Sequence, residues 1–230
     1  MKTLAKRLDA HFAACAVVAA AAAAGGADAA IVYSGIQNIA IPANVDGVYL
    51  NLVTGASAAT PFTGWHINPY GATFLGFGTN YPTPDTYFMG NNTNQAGTAV
   101  SLTVGSVLRY AQSGSATTAS SSMSTSYRWS YSTSGVSVGT AAGQWKLNSD
   151  NYIGIRSKNS SNEYMMAWMR IAVGATITDR TIVDWAYETI TSASAPTTSS
   201  TWSLQVGAVP APGALALLGV AGLVGARRRR

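Results

Sequence analysis

From residue 31 to residue 206 the apolar positions fall in short runs broken by Gly, Ser, Thr and Asn, and many alternate with polar neighbours. No window of a dozen residues carries the i, i+3, i+4, i+7 stripe with which a helix buries one face, so the pattern predicts strands throughout. Nine segments qualify, at residues 31–33, 48–53, 73–76, 100–104, 144–147, 152–156, 164–173, 181–189 and 202–206. Strands at this spacing bury their apolar faces by packing one antiparallel sheet on another. The expected fold is therefore all-β, an antiparallel β-sandwich of jelly-roll or concanavalin-like type.

The best-specified stretch runs from Asn151 to Thr189. Two strand-like runs flank the polar turn at Lys158 to Asn162, which predicts a hairpin and places Gly154 near Met166 and Trp168. In the strand that follows, Val183, Trp185 and Tyr187 share one face and Asp184, Ala186 and Glu188 the other, and the odd face is expected to be core. Three tracts rich in small and polar residues, at 90–97, 113–126 and 191–201, read as loops.

Both ends break this pattern. Lys2, Lys6 and Arg7 precede an unbroken apolar run of 13 residues, from Phe12 to Ala24, which ends in Gly25-Gly26 and the small-residue site Ala27-Asp28-Ala29. That order is a signal peptide for the secretory translocon, with cleavage expected after Ala29; the run is too short to span a bilayer, which takes about 20 apolar residues. At the other end Val209-Pro210-Ala211-Pro212 leads into 14 apolar or small residues, from Gly213 to Ala226, and then Arg227, Arg228, Arg229 and Arg230. The paired prolines hold the segment extended, and the arginines act as a positive stop on the cytoplasmic side of a short hydrophobic helix. The chain thus divides into a signal peptide (1–29), a β-domain (30–190), a Ser/Thr-rich linker with the last strand (191–208) and a tail (209–230).

Composition changes meaning once the ends are set aside. The net charge of +5 suggests an anionic partner, yet Lys2, Lys6, Arg7 and the four terminal arginines are half of the 14 basic residues. Asp9 and Asp28 leave with them, so residues 30–208 carry seven bases against seven acids. A neutral body has no counterion-release drive toward nucleic acid, and none is expected as a partner. Cys15 and His11 also lie in the leader, so the body has no cysteine and one histidine, His66. Disulfides, thiolate nucleophiles and Cys/His zinc sites are excluded from it.

Little chemistry remains. Asp184 and Glu188 stand four residues apart on one strand, about 13 Å at ~3.3 Å per residue, too far for the roughly 5–9.5 Å that glycoside hydrolysis requires. Cross-strand pairing with Arg156 or Arg170 is the better reading of both. His66 is the one available imidazole base; Gly135-Val136-Ser137-Val138-Gly139 matches the Gly-x-Ser-x-Gly pattern, but no helical pattern follows it, as a nucleophile elbow requires. Its neighbours Trp65 and Tyr70 suit a stacking platform for a sugar ring, which makes Trp65, His66 and Tyr70 candidate glycan contacts. Gly76-Phe77-Gly78 is too short to cradle a phosphate and no cofactor is implied; Asp85, Asp150, Asn151 and loop carbonyls are hard oxygen ligands of the kind calcium takes, although the spaced acidic loop of an EF-hand is absent.

The tail resembles the PEP-CTERM sorting domain of exported bacterial proteins: Val209-Pro210-Ala211-Pro212, then Ala214-Leu215-Ala216-Leu217-Leu218-Gly219, then Arg227 to Arg230. The likeness covers about a tenth of the chain and departs from the family at Ala211, where the eponymous residue is Glu. It implies recognition and cleavage by a membrane exosortase, and association with extracellular polysaccharide or the cell surface. Internal segments, Gly154-Ile155-Arg156, Ala167 to Ile171 and Val183 to Glu188, are similar to a stretch that recurs in a subset of such proteins. The expected protein is an exported, non-enzymatic component of the cell surface or matrix, with a carbohydrate-binding module as the alternative and a glycan-active hydrolase behind it.

Overall fold

A computed structural model describes residues 31–80, 86–90, 98–109, 128–130, 135–141, 143–189 and 203–209. The expected signal peptide with Ala27 and Ala29, the tail from Pro210 to Arg230 and most of the three small-residue tracts lie outside the described residues.

The described chain is all-β and its sheets are antiparallel. In chain order the strands are β1 (Val32–Tyr33), β2 (Ile39–Ala40), β3 (Tyr49–Leu50), β4 (Ser57–Ala58), β5 (Ile67–Tyr70), β6 (Gly76–Thr79), β7 (Tyr87–Gly90), β8 (Val107–Arg109), β9 (Arg128–Ser130), β10 (Ser149–Lys158), β11 (Tyr164–Val173), β12 (Arg180–Thr189) and β13 (Ser203–Gln205). A seven-stranded sheet runs β1-β12-β11-β10-β7-β9, with β2 also on β12; a four-stranded sheet runs β4-β3-β5-β6, and β8 pairs with β13.

Three ten-residue strands, β10 to β12, carry the large sheet. The hairpin at 158–162 forms as its composition predicts, with Gly154 directly opposite Trp168. Asn159 closes it: its side-chain carbonyl accepts from the amides of Ser161 and Glu163, and Asn162 takes the left-handed φ of 61°. Shorter expectations shift. The segment at 48–53 is strand only at Tyr49–Leu50 because the Asn51 side chain caps a turn at Val53 and Thr54. The segment at 73–76 starts at Gly76 instead, while 100–104 and 144–147 contribute only isolated bridges. Strand β5, which contains Pro69, and strands β7 to β9 lack a clear alternation and were not expected from the pattern.

Both faces of the large sheet are packed. On one, Ile153, Ile155, Met165, Met169 and Trp185 meet Leu50, Ile67 and Phe77 of the four-stranded sheet in a single apolar cluster. On the other, Met166, Trp168 and Ala186 meet Leu108 of β8 and Leu204 of β13. The odd positions of β12 are core only in part. Arg170 pairs with Asp184 but Ile171 pairs with Ile182, so Val183 is the extra residue of a β-bulge. The bulge reverses the alternation, and Ile182 joins Trp185 in the first cluster while Val183 is half-buried. The Val183 carbonyl turns outward and accepts the amides of Gln37 and Asn38, in the loop where the edge chain passes from β1 to β2.

Two residues make these contacts possible. A Cβ on Gly154 would lie 2.6 Å from Cδ2 of Leu108, which fills the missing side chain's place; this covering role falls to leucine and not to the Trp168 indole. Arg180, 3% exposed, donates to the carbonyls of Pro42, Gly71, Phe74 and Ile177. It thereby ties the β2–β3 and β5–β6 loops to the start of β12 without a carboxylate partner among the described residues. Replacing Gly154 by Ala is expected to destabilise the fold by about 1–3 kcal/mol through overpacking, and the second change Leu108→Val should recover part of that loss in urea titrations. Arg180→Met leaves four carbonyls without their donor and is expected to cost about 3 kcal/mol or more, read as a fall in urea midpoint at constant slope.

Candidate functional site

The three residues singled out for glycan contact do not form one platform. His66, at the entry to β5, is 3% exposed. Its Nδ1 accepts the Leu52 amide at 3.1 Å and its Nε2 lies 3.2 Å from the Lys158 carbonyl, which assigns the Nε2–H tautomer and joins the two sheets. Burial pushes its pKa down to about 4, so the ring is neutral and committed to structure. Trp65 is half-buried edge-on to Tyr49, with ring centroids 5.0 Å apart, and Tyr70 is half-buried edge-on to Phe74 at 5.8 Å. Each ring thus has its own aromatic neighbour. Of the sorting motif, only Val209 is described; it is 44% exposed, one residue after Ala208, whose carbonyl accepts the Trp168 indole N–H at 3.3 Å.

The carboxylates gather elsewhere. On the face of the large sheet turned toward β8 and β13, Arg170 of β11 stands opposite Asp184 of β12. Its Nε and Nη2 reach the two Asp184 oxygens at 3.0 and 2.5 Å, a bidentate fork. Nη1 reaches Asp150 of β10 at 3.3 Å, and the Tyr33 hydroxyl of β1 donates to Asp184 at 2.6 Å. Asp184 is 2% exposed, so the cross-strand pair is closed over on the carboxylate side. Its hydrogen bond to Asp184 holds the Arg170 guanidinium above its ordinary pKa. Burial, and then the bond to Asp184, push the Tyr33 phenol up to about 12, and burial raises Tyr152. Four strands therefore contribute to one network, with Tyr33 and Tyr152 flanking the Trp168 ring at centroid distances of 6.4 and 5.9 Å.

Asn151, 1% exposed, accepts the Lys146 amide and the Ser101 hydroxyl on Oδ1 and donates to the carbonyls of Lys146 and Ser149. That leaves Asn151 no free ligand capacity for a cation. Among the described residues no three His, Cys, Asp or Glu side chains come together in a metal-sized group. Arg156 lies elsewhere on the same face, its guanidinium 4.3 Å from the Tyr87 ring centroid and 5.4 Å from that of Trp129. Glu188 stands opposite Met166, remote in register from Asp184. Sequence reasoning paired Arg170 with a carboxylate but missed Tyr33, Asp150 and Tyr152, because strand neighbours far apart in the chain leave no local spacing to read.

The chain matches no family model, no curated protein and no solved structure.

Protonating His66 would replace an acceptor with a donor against the Leu52 amide. Its folded pKa lies below the ordinary 6.5, so the unfolded chain takes up the proton first and stability falls as the pH drops from about 6.5 to about 4. Between pH 7.5 and 4 the wild type should lose about 3 kcal/mol more than His66→Gln in urea titrations, and equal losses would show that the histidine is not the group responsible.

Proposed function

We propose that this chain is a non-enzymatic component of the bacterial cell surface or extracellular matrix. It is exported by a cleaved signal peptide, sorted by an exosortase-type enzyme through its tail and associated with exopolysaccharide, and its two packed sheets form a β-sandwich of jelly-roll type. The observation that carries the reading is how closely the motif follows the described part of the packed body. Strand β13 is hydrogen-bonded to β8, Leu204 and Val206 are in the core, and Ala208 is tied to Trp168. In the chain Pro210 follows Ala208 by two residues, so the sorting motif directly succeeds the core β-domain in the order that a sorting tail requires.

The side chains favour a binding or structural role over catalysis. The body's one imidazole is buried and neutral with both nitrogens engaged, and Asp184 is neutralised by a bidentate guanidinium. The imidazole is thereby committed to structure, and both Asp184 oxygens are engaged by Arg170.

Intact-mass analysis of the protein from culture medium and from membranes tests the reading. The expected secreted species begins at Ala30 and lacks Arg227 to Arg230. Recovery only as a membrane-bound chain that retains Arg230 would replace sorting by plain anchoring.

A further inference from the structure

The network around Arg170 is more elaborate than the fold requires. A buried ion pair stabilises little compared with apolar residues of similar size, because both charges lose their hydration. Much of the rest of this sheet face is covered by just such apolar contacts, from Met166, Trp168 and Ala186 to Leu108 and Leu204, with Arg156 stacked on aromatic rings farther along it. At the end of the face, beside Trp168, the covering gives way to Tyr33, Asp150, Tyr152 and Arg170. Asp150 is exposed, with a side-chain exposure of 44%, and Arg170 retains 24%. Tyr33 and Tyr152 are half-buried.

The atoms left over at this rim have a consistent chemistry. The guanidinium is held flat by its fork on Asp184, and its outer edge is shared between Asp150 and the Tyr152 hydroxyl, whose own hydrogen can be donated onward. The Asp150 carboxylate meets Arg170 through Oδ2, which leaves Oδ1 as an acceptor toward solvent. A donor and an acceptor in adjacent planar groups match two neighbouring hydroxyls, and the aromatic rings beside them match the apolar face of a pyranose. All the side chains stand on strands, and Arg170 and Tyr33 are both fixed by their bonds to the buried Asp184, so that part of the geometry is preorganised. One guanidinium faces two carboxylates, which leaves the cluster net negative and disfavours a polyanion.

We propose that Asp150, Arg170, Tyr152 and Tyr33 form a binding site for a neutral polysaccharide, gripping vicinal hydroxyls with Asp150 and the Tyr152 hydroxyl and one sugar face with the tyrosine rings. The site rests on the polysaccharide association proposed above and gives it a location. It is distinct from Trp65, His66 and Tyr70, which lie on or next to β5 in the other sheet.

Affinity electrophoresis tests it, with the exported protein run through native gels containing dextran, hydroxyethylcellulose, galactomannan or, as the anionic contrast, alginate. At least one neutral polymer should retard the wild type more than alginate does. Asp150→Ala should weaken that retardation about ten-fold, the equivalent of one charge-assisted hydrogen bond, with an unchanged melting temperature because Asp150 is exposed and Arg170 keeps its bidentate bond to Asp184. Tyr152→Leu should weaken it as well, and Trp65→Ala should leave it intact; should the leucine variant fail to fold, Asp150→Ala alone decides. The proposal is overturned if no neutral polymer retards the wild type, or if Asp150→Ala is retarded as strongly as the wild type. Loss on Trp65→Ala with retention in Asp150→Ala would keep polysaccharide association and move the site to β5, while processing at the termini is read separately by mass.

Discussion

Everything in this structure depends on β10, β11 and β12 being covered on both faces. A cysteine-free body has no covalent staple, so its conformational entropy is opposed by burial alone, and a sheet with one solvated face offers half of what this one buries. Ile153, Met169 and Trp185 fill the space beneath the four-stranded sheet. Met166, Trp168 and Ala186 do the same beneath β8 and β13. Gly154 makes the second contact possible, since the leucine that covers it occupies the volume of a β-carbon.

Polar groups hold the layers in place where apolar packing alone would leave the loops free. Arg180 satisfies carbonyls of three loops from inside the protein, and the favourable term is the count of acceptors, since the described residues offer it no carboxylate. His66 works in the same way on a smaller scale, joining the β3–β4 turn to the end of β10. Both are titratable residues used as connectors, which is why neither behaves as a reactive group. Arg170 differs. It shares the buried carboxylate of Asp184 with Tyr33 but turns its remaining edge outward to Asp150, so one network has a structural inside and a chemically available rim.

The long elements were legible because they repeat one rule for ten residues. Tyr164 to Val173 was bounded correctly from apolar content alone, and the Lys158 to Asn162 turn from its Asn and Ser residues. The short strands were not, since two or four residues carry no period, and β5 hides Pro69 inside a segment that reads as a turn. The parity of β12 failed at Val183 for a definite reason: a bulge is stabilised by what lies across it, here the amides of Gln37 and Asn38, and those are some 145 residues distant in the chain.

The amino-acid sequence by itself determined the class of structure and the poverty of its chemistry. Turn residues between short apolar runs dictate β-structure, and residues 30–208, with no cysteine and one histidine, hold no thiol and no multi-histidine metal site whatever the fold. Only the tertiary structure decided which polar residues meet. Asp150, Arg170, Asp184 and Tyr33 come from four strands, and whether a carboxylate is a buried tether or an available acceptor depends on the neighbours that desolvate it. The same holds for Trp65 and Tyr70, close in sequence yet packed on separate aromatic partners. Composition is a property of the chain, but burial and proximity are properties of pairs, and antiparallel sheets make those pairs from residues that the sequence keeps apart.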